Sequence, residues 1–151
     1  MGTVGTIRFW GAVNIEAIVI RDWNGYTEEA GTHLMDFLSE LKDQRLSLSR
    51  VMNPQVMAAR YVIHLTKGLM ETPGVRVGME EPIDTSYVYD VRCGEPRDDK
   101  MPHVWVSQYS WTIENGGTLY NRQDLRVHLR ELMEAEEKEE RQKEEANVDD
   151  E

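Results

Sequence analysis

The chain has 151 residues, of which 40% are hydrophobic and 30% charged, and its formal net charge is −11. These values describe one soluble globular domain and exclude a disordered or fibrous chain, and no stretch reaches the roughly 18 apolar residues that span a membrane. The charge is uneven, because ten acids and three bases between Glu134 and Glu151 carry −7 of it.

The first half of the chain predicts two strands followed by two helices. The stretches "TIRFWGAV" and "NIEAIVIRDW" are typical of strands, and the nearly continuous apolar run from Ile15 to Ile20 indicates a strand covered on both faces. The first helix is predicted to begin at Thr27, a favourable N-cap residue. The second is predicted to begin where Asn53 precedes Pro54 and to end at Gly68.

The second half predicts three further strands and a last helix. "GVRVGM" is a short strand, and "DTSYVYDVRCG" alternates so that Tyr87 and Tyr89 share one face while Arg92 lies on the other. Asn121 is a candidate cap for the last helix. The strand "HVWVSQYSWTI" places three aromatic residues together, either in the core or in a pocket: Trp105, Tyr109 and Trp111.

This order of elements predicts an α+β fold. We expect an antiparallel sheet of about five strands with two packed helices and an extra C-terminal helix. Residues 1–133 would form one domain and residues 134–151 an acidic tail. The tail is either a solvated helix end or a mimic of nucleic acid for a basic partner, and like-charge blocks favour the first interpretation.

Motifs for catalysis and metal binding are absent from the sequence. The four histidines are far apart, without an H-E-x-x-H or cysteine pairing, and there is no phosphate loop or G-x-S-x-G elbow. We therefore predict a protein that is not an enzyme and has neither a metal site nor a cofactor. The single cysteine, Cys93, and the lack of an export signal predict a cytoplasmic location.

The stretch "IRDWNGYT" is the strongest candidate for a binding site. It places Arg21, Trp23 and Tyr26 around a turn, and binding residues concentrate in loops held by a rigid scaffold. The competing interpretation is a structural turn in which Asn24 and Gly25 supply positive φ, Trp23 covers the core and Arg21 faces water. Composition leaves both interpretations open.

The same stretch resembles a motif of small phage and prophage proteins, Tyr-Arg-His-x-Asp-Gly-Tyr-Pro before a leucine-rich helix. Three positions match it: Arg21, Gly25 and Tyr26. Asn24 is a near-substitute for the aspartate, and three positions differ: Ile20, Asp22 and Thr27. The later "DTSYVYDV" resembles the family's Asp-x-Glu-Tyr-x-Tyr-x-Ile strand, so the likeness extends from about Thr6 to Glu114. On these motifs the chain is similar to the phage Thoeris anti-defence sponges.

The resemblance implies a protein of immune evasion in the cytoplasm of an infected bacterial host. Such sponges bind glycocyclic ADP-ribose, and some also bind cyclic oligonucleotides, without cleaving them. The likeness implies a homodimer or larger homo-oligomer, no membrane association and no direct binding of nucleic acid. Arginines would face phosphates, aromatic rings would stack on a base and asparagines would bond to ribose or base edges. The implied ligand-binding residues are Arg21, Trp23, Asn24, Tyr26, Tyr87, Tyr89, Arg92, Trp105 and Asn115.

A second function competes with sequestration of a signal. The acidic C-terminus could act by protein–protein contact, as a nucleic-acid mimic or an anti-CRISPR-like inhibitor of a host defence effector. Loss of activity after truncation at Met133 would favour this alternative, whereas a sponge should tolerate the cut.

Overall fold

The computed structural model describes residues 3–43, 53–67, 74–82, 85–96, 101–112 and 116–149. It confirms the predicted α+β class. The strands are β1 Gly5–Trp10, β2 Ile15–Arg21, β3 Val75–Gly78, β4 Tyr87–Pro96, β5 Pro102–Thr112 and β6 Gly116–Asp124. The helices are α1 Thr32–Asp43, which a π-helical turn at Thr27–Gly31 precedes, α2 Pro54–Thr66 and α3 Leu125–Asp149.

The six strands form one sheet in the order β3-β2-β1-β4-β5-β6. Neighbouring strands are antiparallel, except that β1 and β4 run parallel. Of the strands that pair with each other, β1 and β4 are the farthest apart in sequence, and they lie side by side at the centre of the sheet. This pairing decides which polar side chains meet on the sheet surface.

The helices cover one face of the sheet. Alternate residues of the central strands, including Ile7, Val19 and Tyr89, join the helical residues Phe37 and Tyr61 in one buried cluster. Burial of each large apolar side chain contributes about 1.5–3 kcal/mol, so this cluster is the main source of stability. We refer to this side of the sheet as the helix face.

The connection between β3 and β4 lies against the opposite face. Thr85 in this connection shares a hydrogen bond of 2.9 Å with Thr6, and the Ser86 amide donates to the Val4 carbonyl over 2.9 Å. Ile18 and Ile20 are buried on this side. The apolar run of β2 is therefore covered on both faces, as its sequence predicts.

The first two helix starts agree with the sequence prediction at Asn53 but not at Thr27. Asn53 caps α2 as expected, because its side chain accepts from the amides of Gln55 and Val56. Thr27, by contrast, lies inside a π-helical turn that has no side-chain cap, and its hydroxyl is buried. The expected end of the second helix, Gly68, lies outside the described residues, and α2 extends to Thr66.

The last helix also starts differently, because an unpredicted sixth strand precedes it. Asn121 lies within β6 with a φ of 57°, and its pairing with β5 is irregular nearby. Asp124 is the cap, since its carboxylate accepts from the amides of Arg126 and Val127. The sequence "GGTLYNRQD" lacks the apolar alternation that marks the other strands. This strand is therefore recognised only from its pairing with β5.

The helix α3 begins in the core and ends away from it. Leu125 is fully buried, whereas every residue from Glu134 to Ala146 is exposed. The acidic stretch is thus helical as far as Asp149. Among the described residues, no helix combines the length and the apolar character needed to cross a bilayer.

Candidate functional site

The residues implied by the resemblance do not meet at one site. Arg21 and Tyr89 are buried on the helix face, where Tyr87 packs partly against the core. Arg92 and Trp105 lie on the opposite face, in register with other residues of that side. Three residues belong to the turn after β2: Trp23, Asn24 and Tyr26. Asn115 lies outside the described residues.

The turn after β2 fits neither interpretation of its sequence completely. Asn24 does adopt positive φ, at 55°, but Gly25 does not. Arg21 is only 7% exposed and does not face water. Trp23 is 55% exposed instead of covering the core, and it lies where a side chain on Gly74 would be. The turn therefore has one feature of the structural interpretation, the positive φ at Asn24, but its arginine is buried.

A cation–aromatic surface occupies the face opposite the helices. The strand register aligns Trp10, Arg92 and His103 in one row across the sheet. A neighbouring row contains Arg8, Asp90 and Trp105. Arg122 of β6 adds a guanidinium above Trp105. We call this surface the Arg–Trp face: Arg8, Trp10, Asp90, Arg92, His103, Trp105 and Arg122.

Asp90 organises the Arg–Trp face. Its two oxygens accept from Nε and Nη2 of Arg8 at 2.6 and 2.7 Å, and Oδ1 also accepts from the Trp10 indole at 2.6 Å. Such a bidentate arginine–carboxylate pair is stronger and more directional than a single contact. Burial lowers the pKa of Arg8, but the hydrogen bonds and charges of Asp90 and Glu81 outweigh that effect and raise it.

Glu81 ties the β3–β4 connection to this surface. Its carboxylate accepts from Arg8 at 2.7 Å and from the Tyr109 hydroxyl at 2.5 Å. Burial, followed by the hydrogen bond and negative charge of Glu81, raises the pKa of Tyr109 to about 12. Tyr109 is thus a neutral donor at physiological pH. The side chain of Trp111, its neighbour in β5, lies outside the described part.

Both indoles on the Arg–Trp face have cationic neighbours. The guanidinium carbons of Arg92 and Arg8 lie 4.6 and 5.6 Å from the Trp10 ring. Arg122 lies 5.0 Å from the Trp105 ring, and the His103 ring is 6.1 Å away and nearly parallel to it. Contacts between guanidinium and indole at these distances are attractive cation–π interactions. The surface therefore presents flat rings and positive charges side by side.

Five members of this surface are not among the residues predicted from the sequence: Arg8, Trp10, Asp90, His103 and Arg122. Alternation in "TIRFW" does place Arg8 and Trp10 on one face of β1. What it cannot show is that this face lies beside Asp90 and Arg92. That neighbourhood depends on the parallel pairing of β1 with β4, between residues about eighty positions apart in the chain.

Two grooves lie between the helices. A groove of about 760 Å³ between α1 and α3 contains the acids Glu28, Asp36, Glu136 and Glu139. A groove of about 450 Å³ between α1 and α2 combines Arg60 and Lys67 with Glu40. The acidic lining disfavours an anionic ligand in the first groove. Neither groove contains an aromatic ring of the Arg–Trp face.

His33 provides a pH-dependent contact with Arg21. Its Nδ1 lies 3.1 Å from Nη1 of Arg21, and because a guanidinium only donates, His33 accepts as the neutral imidazole. Burial and the charge of Arg21 lower the pKa of His33, and Glu29 and Asp36 only partly oppose them. Protonation of His33 would place a second positive charge beside the Arg21 guanidinium, and the two charges would repel each other.

Acidification is expected to weaken the fold through His33. Its pKa in the folded state lies below the unfolded value of about 6.5, so the unfolded state binds more protons and stability falls as pH drops below that value. Thermal unfolding between pH 7.5 and 5 should therefore depend less on pH in His33→Gln than in the natural protein. Identical slopes for the two proteins would contradict this expectation.

No protein-family model, no curated protein and no solved structure matches the chain. Functional inference therefore depends on the geometry above and on the motif resemblance.

Proposed function

We propose that this protein binds a nucleotide on the Arg–Trp face and sequesters it without cleaving it. The motif resemblance supports a cyclic immune signal of the bacterial host, such as glycocyclic ADP-ribose or a cyclic oligonucleotide. The protein would then be a phage anti-defence sponge acting in the host cytoplasm. The same resemblance supports a homodimer or larger homo-oligomer.

The observation that carries the proposal is the pair of indoles flanked by guanidinium groups on the sheet face opposite the described helices. Stacking of a base on an aromatic side chain contributes about 1–3 kcal/mol, and arginine binds phosphate oxygens through two parallel hydrogen bonds. Arg122 is exposed above Trp105. A base that stacks on Trp105 would displace this guanidinium, which could then turn towards the phosphate.

Local charge supports binding of an anion despite the acidity of the chain. The net charge of −11 repels anions at long range. On the Arg–Trp face, however, three arginines, Arg8, Arg92 and Arg122, outnumber the two carboxylates that contact Arg8, Asp90 and Glu81. Retention of a signal requires slow dissociation, which complementary charges and stacking can supply without a nucleophile or general acid.

Calorimetry with glycocyclic ADP-ribose isomers and cyclic di- and trinucleotides tests the proposal. Trp105→Ala should lower the affinity about 5- to 150-fold, because it removes a stacking contribution of about 1–3 kcal/mol. Arg92→Ala should also weaken binding. Arg76→Ala is the matched control, since Arg76 is exposed and paired with Asp22 at the edge of the sheet. No heat with any of these ligands would end the proposal.

A second tryptophan distinguishes the two possible locations of the site. Trp23 is 55% exposed in the turn where the sequence motif places the ligand. Trp23→Ala should leave the affinity unchanged if the Arg–Trp face is the site. Loss of binding in Trp23→Ala, with normal binding in Trp105→Ala, would move the site to the turn. Recovery of intact ligand after denaturation of the complex would exclude a degrading enzyme.

Inhibition by protein contact is the second candidate function, and α3 favours it. Beyond Met133 the helix is exposed on every side as far as Ala146, and a helix that is polar all round has no core to pack against. Truncation after Met133 separates the candidates. A sponge keeps its nucleotide affinity after the cut, whereas an inhibitor that uses the acidic arm loses its salt-sensitive binding to a basic partner.

A further inference from the structure

Arg21 is a buried cation without a counter-charge in the described parts of the chain. It is 7% exposed at the end of β2, and its one described side-chain hydrogen bond joins Nη1 to Nδ1 of the neutral His33. The adjacent acid, Asp22, pairs with Arg76 instead. Burial of a charge without a partner is strongly unfavourable, so a native fold that keeps one requires an explanation.

The polar atoms around Arg21 are unsatisfied donors. On the helix face of the described part of the chain, three buried atoms lack a hydrogen-bond partner: Arg21 Nε, Tyr61 OH and Thr27 Oγ1. Burial raises the pKa of Tyr61, and the nearby Arg21 guanidinium partly offsets this effect. Burial also raises the pKa of Tyr89, and the nearby side chains of Thr27, Tyr61 and Arg21 change this pKa by smaller amounts. The charge of Arg21 acts on the hydroxyls of both Tyr61 and Tyr89, and Thr27 and Tyr89 both lie within 4 Å of the position that a Cβ on Gly31 would take. The three atoms therefore lie in one region of the helix face.

We propose that this cluster is a binding site for a single oxyanion, a phosphate or carboxylate group. The cluster contains one positive charge, one N–H donor and two O–H donors, which lack only an acceptor. An anionic oxygen provides several acceptor positions as well as the missing negative charge. The site lies on the helix face, so it is separate from the Arg–Trp face. We name it the Arg21 site: Arg21, Thr27 and Tyr61.

The local fold directs these donors inward. In an ordinary N-cap the Thr27 hydroxyl would accept from a helix amide, but the π-helical turn buries it without a partner. Such turns occur frequently at functional sites. The Tyr89 hydroxyl donates to the Gly25 carbonyl at 2.6 Å, and the described residues show no hydrogen bond from Arg21 to this carbonyl. His33, which contacts Arg21, has a half-exposed side chain.

Thermal unfolding in different anions tests the Arg21 site. Sodium phosphate and sodium acetate are compared with sodium chloride at equal ionic strength, which distinguishes the two classes of oxyanion. A ligand that binds only the folded state raises Tm with its concentration. We expect phosphate or acetate, but not chloride, to raise Tm, and Tyr61→Phe or Thr27→Val to weaken the apparent affinity about 10-fold or more, because each removes a donor to a charged group.

Arg21→Met should abolish the oxyanion effect and melt no lower than the natural protein in chloride, since it removes a buried charge that has no partner. Arg76→Met is the matched control at an exposed arginine and should respond to phosphate normally. The proposal is overturned if Tm follows ionic strength alone, or if Arg21→Met keeps the full oxyanion response. Trp105→Ala should retain that response, so this site and the nucleotide site can fail independently.

Discussion

Asp90→Ala is expected to lower the free energy of unfolding by about 3 kcal/mol, measured by urea denaturation. The Asp90 side chain is only 7% exposed and pairs with Arg8, which is 15% exposed. Loss of one partner of a buried pair typically costs about 3–5 kcal/mol, because the other charge stays buried. The low end applies here, since Glu81 still contacts Arg8 at 2.7 Å.

Asp22→Ala is the matched control for the loss of this carboxylate. Asp22 and Arg76 form an exposed pair at 3.3 Å, and such surface pairs contribute about 0–1 kcal/mol. Combining Asp90→Ala with Arg8→Met should recover part of the loss, because no unpaired cation remains. Equal costs for Asp22→Ala and Asp90→Ala would contradict the central position given to Asp90. Asp90 acts as a positioning residue, which orients Arg8 and Trp10.

Gly25→Ala is expected to destabilise the protein by about 3 kcal/mol, at the upper end of the usual cost of overpacking. A Cβ at Gly25 would lie 2.2 Å from the Gly5 nitrogen and 2.6 Å from the Gly5 Cα. Both atoms are backbone, so the turn would have to move away from β1. That movement would strain the hydrogen bonds of Gly25 with Thr3 and Tyr89, at 2.8 and 2.6 Å.

Gly11→Ala provides the corresponding control in the loop between β1 and β2. Its Cβ would meet only the carboxylate of Glu16, at 2.5 Å, and this flexible side chain can move aside. The change in stability should therefore remain within about 0.5 kcal/mol, as for most surface substitutions. If the two alanine variants show the same urea midpoint, close backbone approach is not what requires glycine at position 25.

The sequence motif around Arg21 indicated an unusual arginine but not its surroundings. Its position after a β-branched strand and before an Asn-Gly turn is local, and the structure confirms positive φ at Asn24. Whether Arg21 faces water or the core depends on which face of β2 the helices cover. That choice places Arg21 beside His33 of α1. It also separates Arg21 from Arg92 and Trp105, which the resemblance grouped with it.

The Arg–Trp face was likewise predicted only in part from the sequence. Alternation in β4 correctly assigned Tyr87 and Tyr89 to one side and Arg92 to the other. Nothing in the sequence of β1 or of β4 indicated that β1 lies between β2 and β4 in the sheet. The sixth strand, which contributes Arg122, has too little alternation to be recognised from its own residues.

The amino-acid order by itself determined the period of the five predicted strands and the cap at Asn53, because these depend on residues within a few positions of one another. Tertiary structure alone decided the strand order and the face that receives the helices. Those choices follow from burying the largest apolar area over long chain separations, and local patterns do not encode them. The contact between Arg8 and Asp90 exists only because of that long-range pairing.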